Sequence, residues 1–137
     1  MKQEQQTIVI DATDTVLGRL ASYAAKQSLL GKKIIIVNCI NAIVTGKRAS
    51  ILRNYKQLRQ RGGSSLKGPH FPKSPERIMK RTIRGMLSYK QGRGQSAFKH
   101  IRCYNNIPPE YQSSEKILLR EEKNTPTLTL NEISTEL

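Results

Sequence analysis

Asp11 and Asp14 are the first residues whose types and spacing bear on chemistry, since two carboxylates three positions apart can share a proton or hold a divalent cation. A plainer assignment accounts for both: Asp14 or Thr15 caps a helix beginning near Val16, and Asp11, closing an apolar run, bonds nearby backbone amides, so no third ligand is left to name. His70 and His100 have no Cys, Asp or Glu partner at metal spacing, which leaves no metal-ligand set in the chain. Ser64, Ser65, Ser88 and Ser96 sit in no nucleophile-elbow context. Val44-Thr45-Gly46-Lys47-Arg48 contains a Gly-Lys pair but lacks both the upstream glycine and the following Ser or Thr of a phosphate-binding loop. The segment Asp11-Ala12-Thr13-Asp14-Thr15 after the first apolar run would repel a pyrophosphate, and the nearest glycine, Gly18, falls inside the helix that follows. Cys39 and Cys103 lie far apart in apolar, strand-like segments and read as buried thiols, not as zinc ligands or a disulfide framework. Neither a cofactor nor a metal is expected.

Cationic chemistry is the alternative that survives. The 137 residues carry 24 Lys and Arg against 10 Asp and Glu, a net charge of +14. Residues 32–102 hold eighteen of the cations and one carboxylate, Glu76, whereas residues 103–137 hold three cations and six carboxylates. A stretch so one-sided repels itself unless a polyanion lies against it, and counterion release from phosphates rewards that contact. Lys47, Arg48, Arg53, Lys56, Arg59 and Arg61 fall on one helical segment, Lys67 and Lys73 in a loop with His70, Arg77, Lys80, Arg81 and Arg84 on a second helix, and Lys90, Arg93 and Lys99 beyond it. Together they are the candidate nucleic-acid face. Gly62, Gly63, Gly68, Gly92 and Gly94 serve turn-making or close approach to phosphates equally well. With only seven aromatic residues, phosphate and 2′-hydroxyl contact with folded RNA fits better than base stacking along a single strand.

The elements that position these residues follow from the apolar periodicity. Thr7-Ile8-Val9-Ile10 reads as a buried strand; Val16, Leu17, Leu20, Ala21, Ala24 and Ala25 as one face of a helix ended by Gly31; and Lys33 to Cys39 as a strand covered on both faces. This is a βαβ unit. Ala42-Ile43-Val44 leads to a helix with Ile51, Leu52, Tyr55 and Leu58 on its apolar stripe, ending at Gly62-Gly63. Residues 62–73 form a basic Gly/Pro/Ser loop, and Ser74-Pro75 then caps and starts a helix with Met79, Ile83, Met86 and Leu87 as its stripe. A glycine turn at 90–95, a short helix near Ser96 to Lys99 and a strand from Ile101 to Tyr104 complete a domain of residues 1–112, and Pro108-Pro109 stops regular structure. Residues 113–137 are expected as an acidic, partly ordered tail that packs back on the domain. A polar N-terminus and the lack of a long apolar run point to the cytosol.

Several segments resemble the universal large-subunit ribosomal protein thirteen family in its archaeal and eukaryotic form. The resemblance covers residues 7–111 and rests on Ile10-Asp11-Ala12, Leu17-Gly18-Arg19-Leu20-Ala21, Val37-Asn38, Asn41-Ala42, Thr45-Gly46-Lys47, Gly68-Pro69-His70-Phe71, Arg84-Gly85-Met86-Leu87, Arg93-Gly94-Gln95 and Ile107-Pro108-Pro109. It implies an α/β protein with three α/β/α layers around a small, mainly parallel four-stranded sheet, docked on large-subunit ribosomal RNA beside neighbouring ribosomal proteins. It also implies no enzyme activity and no cofactor, and it marks Lys47, His70, Arg84, Gly85, Arg93 and Gly94 as RNA-facing. The rival classes are an RNA-processing enzyme using Asp11, Asp14 and His70, and an RNA-binding regulator outside the ribosome.

Overall fold

Two runs of β-branched residues, too apolar to leave either face in water, form the centre of the protein. In the computed structural model, which describes residues 6–60, 71–119 and 125–137, strand β1 (Thr7–Asp11) pairs in parallel with β2 (Lys33–Val37), from Thr7 opposite Lys33 to Asp11 opposite Val37. Strand β4 (Ile101–Cys103) extends the sheet beyond β2, and β5 (Lys116–Leu118) extends it beyond β1. The order is β4-β2-β1-β5 and all pairings are parallel. Strand β3 (Ile43–Thr45) and β6 (Thr127–Thr129) form a separate antiparallel pair.

The two-residue period of a strand sorts side chains to opposite faces. Ile8, Ile10, Ile34 and Ile36 face a core that includes Leu17, Leu20, Ala21, Ala24 and Ala25 of α1 (Leu17–Leu29) and Ile78, Met79 and Ile83 of α3 (Pro75–Gly85). Val9, Ile35 and Val37 face the other way and are covered by Tyr104, Ile107 and Tyr111. The expected three-layer α/β/α arrangement is therefore present, with the far layer supplied by residues 104–111 and their 3₁₀ turn at Pro109–Tyr111. Helix α2 (Arg48–Arg59) and α5 (Leu130–Glu136) pack beside the β3–β6 pair. Helix α4 (Gly92–Lys99) packs against α1 and β4.

Several expectations change at element ends. Val16 is the N-cap of α1 and makes no side-chain capping bond, so neither Asp14 nor Thr15 caps it. Asp14 instead has left-handed backbone (φ 56°), which carries the chain around the turn and aims its N–H at the Asn41 carbonyl (3.1 Å). Asp11 behaves as expected: Oδ1 accepts from the Thr13 N–H (3.0 Å) and hydroxyl (2.7 Å), and also from Asn38 Nδ2 (3.1 Å). Strand β2 stops at Val37, two residues early, because Asn38 is left-handed (φ 59°) and Cys39 opens a 3₁₀ turn. At the other end of α1, Gly31 (φ 91°) ends the helix as anticipated: its N–H reaches the Ser28 carbonyl and that of Lys32 reaches Gln27, the paired bonds of a Schellman motif.

Ser74 occupies the N-cap of α3, but its hydroxyl caps nothing; Asn105, distant in sequence, accepts from the Glu76 N–H instead (3.1 Å). Ile78 joins the buried stripe of α3, while Met86, assigned to it, is 45% exposed. The glycine turn at 90–95 is largely helix, since α4 begins at Gly92. Gly94 allows that: a Cβ there would sit 2.1 Å from the Ser88 carbonyl oxygen. The segment from residue 113 carries regular structure in its described residues. It supplies β5, β6 and α5, and Leu130 and Ile133 are fully buried.

Three substitutions measure these packing constraints in urea unfolding. Gly94→Ala is expected to cost at least about 2 kcal/mol by overpacking against backbone, whereas Gly18→Ala, with open space around it, is neutral or stabilising. Ile133→Ala should cost about 2–5 kcal/mol, and a loss below about 0.5 kcal/mol would show that α5 is dispensable to the core.

Candidate nucleic-acid interface

Cations excluded from the apolar stripes project from α2, α3 and α4. On α2, Arg53 and Lys56 are exposed and line a shallow cleft with Ala49, Leu52, Gln57 and Gln60. Lys47, the N-cap of this helix, is exposed as well. Arg48 differs, because α5 holds it: its guanidinium meets Glu136 at 3.0 Å and Glu132 at 3.8 Å. Thr129 caps α5 by accepting from the Glu132 N–H (3.2 Å), which fixes the backbone that carries one of those carboxylates.

Arg59 and Arg81 meet between α2 and α3, around a pocket of about 100 Å³ walled by Tyr55, Leu58, Phe71, Pro72, Ile78 and Thr82. The Arg81 guanidinium carbon lies 4.0 Å from the Phe71 ring centroid, a cation–π stack. Loss of hydration, reinforced by repulsion from Arg84, lowers the proton affinity of Arg81. Burial pushes the neighbouring Tyr55 hydroxyl up.

A second groove runs between α3, α4 and β4. Arg77, Lys80, Lys99 and Arg102 line it together with Glu76, Phe98 and Tyr104, and Lys80 Nζ stands 5.2 Å over the Phe98 ring. Arg102 was not among the candidate residues, although its place between inward-directed Ile101 and Cys103 marks it as the outward member of an alternating strand. At the C-terminal end of α3, exposed Arg84 lies 5.1 Å over the Tyr89 ring, and exposed Gly85, Lys90 and Arg93 adjoin it in sequence. Lys73 is exposed just ahead of α3. Gly94 is buried against Ser88, so its lack of a side chain serves the approach of α4 to that turn. Arg61, Lys67 and His70, with Gly62, Gly63 and Gly68, lie outside the described residues.

Beneath the second groove, Cys39 and Cys103 meet although 64 positions separate them. The interaction with Cys103, followed by burial, drives the Cys39 thiol far above its ordinary range. Glu76 adds to the effect, and its Oε2 is buried without a hydrogen-bond partner among the described residues. No group of three or more His, Cys, Asp or Glu suited to a metal occurs among the described residues. No helix among them is long and apolar enough to cross a membrane.

Fold and surface define a basic α/β domain whose exposed chemistry is that of cations and aromatic faces. Residues 5–110 match the family model for ribosomal protein L13. A Methanosarcina barkeri protein named large ribosomal subunit protein uL13 is 47% identical over 114 residues, covering 82% of this chain and 81% of that protein. Proteins of the same name from Archaeoglobus fulgidus and Thermoplasma volcanium are 42% and 44% identical, covering 92% and 94% of this chain and 84% and 96% of theirs. The chain belongs to the ribosomal protein L13 family.

The Cys39 environment sets a pH dependence. A thiol that keeps its proton longer in the folded state than in the unfolded chain, where the ordinary value is 9.0, stabilises the fold less and less as pH rises past 9. Each such group contributes a slope of about 1.4 kcal/mol per pH unit above its unfolded value. Unfolding free energy should therefore fall between pH 9 and 10.5, with Tyr55 joining above 10.0. Cys39→Ala should flatten the first part of that decline, and an unchanged slope would refute the assignment.

Proposed function

We propose that this chain is a structural constituent of the large ribosomal subunit, not an enzyme, and that it binds large-subunit ribosomal RNA through the basic face of α2, α3 and α4 while supporting subunit assembly in the cytoplasm. The observation that carries the reading is the run of eighteen cations against one carboxylate between residues 32 and 102, ten of which lie on three helices, α2, α3 and α4, that share one apolar core. Membership of the L13 family and the names of the archaeal relatives support the same particle. Neighbouring large-subunit proteins are the expected further partners, and no cofactor or small-molecule substrate is required.

Phosphate contact dominates in this reading, so affinity falls steeply with salt. Neutralising Arg77, Lys80, Lys99 and Arg102 together with glutamine should lower the slope of log affinity against log salt by about 3, at roughly 0.7–0.9 per phosphate contact. Arg48→Gln should change it less, because Glu132 and Glu136 already hold that side chain. Filter binding to deproteinised large-subunit ribosomal RNA at several salt concentrations measures both. Equal slopes for the wild type and the fourfold variant would remove this groove from the interface, and a salt-insensitive wild type would sink the RNA reading itself.

A further inference from the structure

The corner where α3 gives way to α4 combines two features that the phosphate reading leaves unused. Met86 and Tyr89 are large apolar side chains, yet they remain 45% and 41% exposed within a single turn of chain. Isolated exposed hydrophobic residues need no explanation, but two only three positions apart, in a turn carrying exposed cations, form a mixed surface. Arg84, Lys90 and Arg93 are exposed here, and no carboxylate among the described residues pairs with them. Arg84 stacks on Tyr89 at 5.1 Å, which steadies the ring and leaves no space for a base between the two planes. The Tyr89 N–H donates to the Leu87 carbonyl (2.8 Å), fixing the backbone that carries the ring.

A phosphate-lined duplex offers such a surface little, because the base faces are stacked inside and only phosphates, sugars and base edges are presented. An unpaired nucleotide offers more: a planar apolar face for Tyr89 and Met86, and flanking phosphates for Lys90 and Arg93. We propose that Tyr89, backed by Arg84 and edged by Met86, is a stacking site for an unpaired base of the bound RNA. The proposal rests on the ribosomal RNA reading and makes it more specific, since it names which chemical part of the RNA this corner takes. The positive charge around the patch favours that occupant over a protein surface, which would need a matching run of carboxylates.

The test uses the full chain and deproteinised large-subunit ribosomal RNA. Tyr89→Leu is expected to weaken binding by roughly 5- to 150-fold, the usual range for loss of one stacked base, without altering the salt slope. Tyr89→Phe should bind within about twofold of wild type, because the π face is retained. Lys90→Gln should reduce the slope by about 1. Irradiation at short ultraviolet wavelength should attach a nucleobase to Tyr89 in the wild type, read by mass spectrometry of the digested complex. Circular dichroism of Tyr89→Leu confirms that this exposed position leaves the fold intact. Wild-type affinity in Tyr89→Leu, or a loss accompanied by a lower salt slope, overturns the stacking site while the RNA reading stands. If Tyr89→Leu binds RNA normally but fails to co-sediment with assembled large subunits, the patch is taken by a protein and the proposal falls. A wild-type chain that does not bind the RNA overturns the ribosomal reading first.

Discussion

Strand β2 has to be covered on both faces, and the rest of the structure follows from how this chain manages it. Ile34, Ile35, Ile36 and Val37 are all fully buried, so apolar cover is needed above and below the sheet. The segment from residue 32 to 102 is loaded with cations and can spare only narrow stripes for that work. Cover therefore comes from the charge-balanced start of the chain, through α1, and from its acidic end, through residues 104–111 and α5. The cations of α2, α3 and α4 cannot follow their apolar neighbours inward, since burying an unpaired charge costs several kcal/mol. What makes the core possible thus also sorts the charge to the outside.

Cations on a surface attract phosphate most strongly when no carboxylate stands beside them, but long unpaired side chains lose entropy when they are fixed. The structure resolves this conflict with aromatic faces. Arg81 lies on Phe71, Arg84 on Tyr89 and Lys80 over Phe98, so each is held by a π cloud that leaves its positive charge uncancelled. Arg48 shows the contrasting arrangement. Its two carboxylate partners lie on α5, so the ion pairs join the C-terminal helix to α2.

Much of this was legible in the sequence, wherever local pattern decides the outcome. The continuous apolar run of β2, the alanine-rich face of α1, the glycine that ends it and the proline that starts α3 all act within a few residues. What escaped was set by contacts between distant segments. Asn105 replaces the hydroxyl of Ser74 as the partner at the start of α3, and no spacing rule links the two. Gly94 looks like a turn residue until the Ser88 backbone is placed against it. The weakly apolar pieces after residue 113 acquire a role only when β1 and β3 offer them an edge to pair with. On the candidate interface, the cationic helices were evident from the sequence, whereas Arg102 and the aromatic partners of the guanidinium groups depend on which strand and helix faces meet.

Glu76, the single carboxylate of the cation-rich segment, shows the same logic in miniature. A negative charge on the open face of α3 would weaken the surrounding field, yet one near the start of the helix opposes the partial positive charge of its unpaired N–H groups. Glu76 occupies the first turn, its own N–H is held by Asn105, and one oxygen is turned inward near the Cys39 thiol. That oxygen gives up its hydrogen bonds on burial, a cost that local packing does not explain. Glu76 lines the same groove as Arg77, Lys80, Lys99 and Arg102, at the N-terminal end of α3. A carboxylate kept at a helix start and half withdrawn from the surface serves the dipole of α3 while leaving the outer face of the helix almost purely positive.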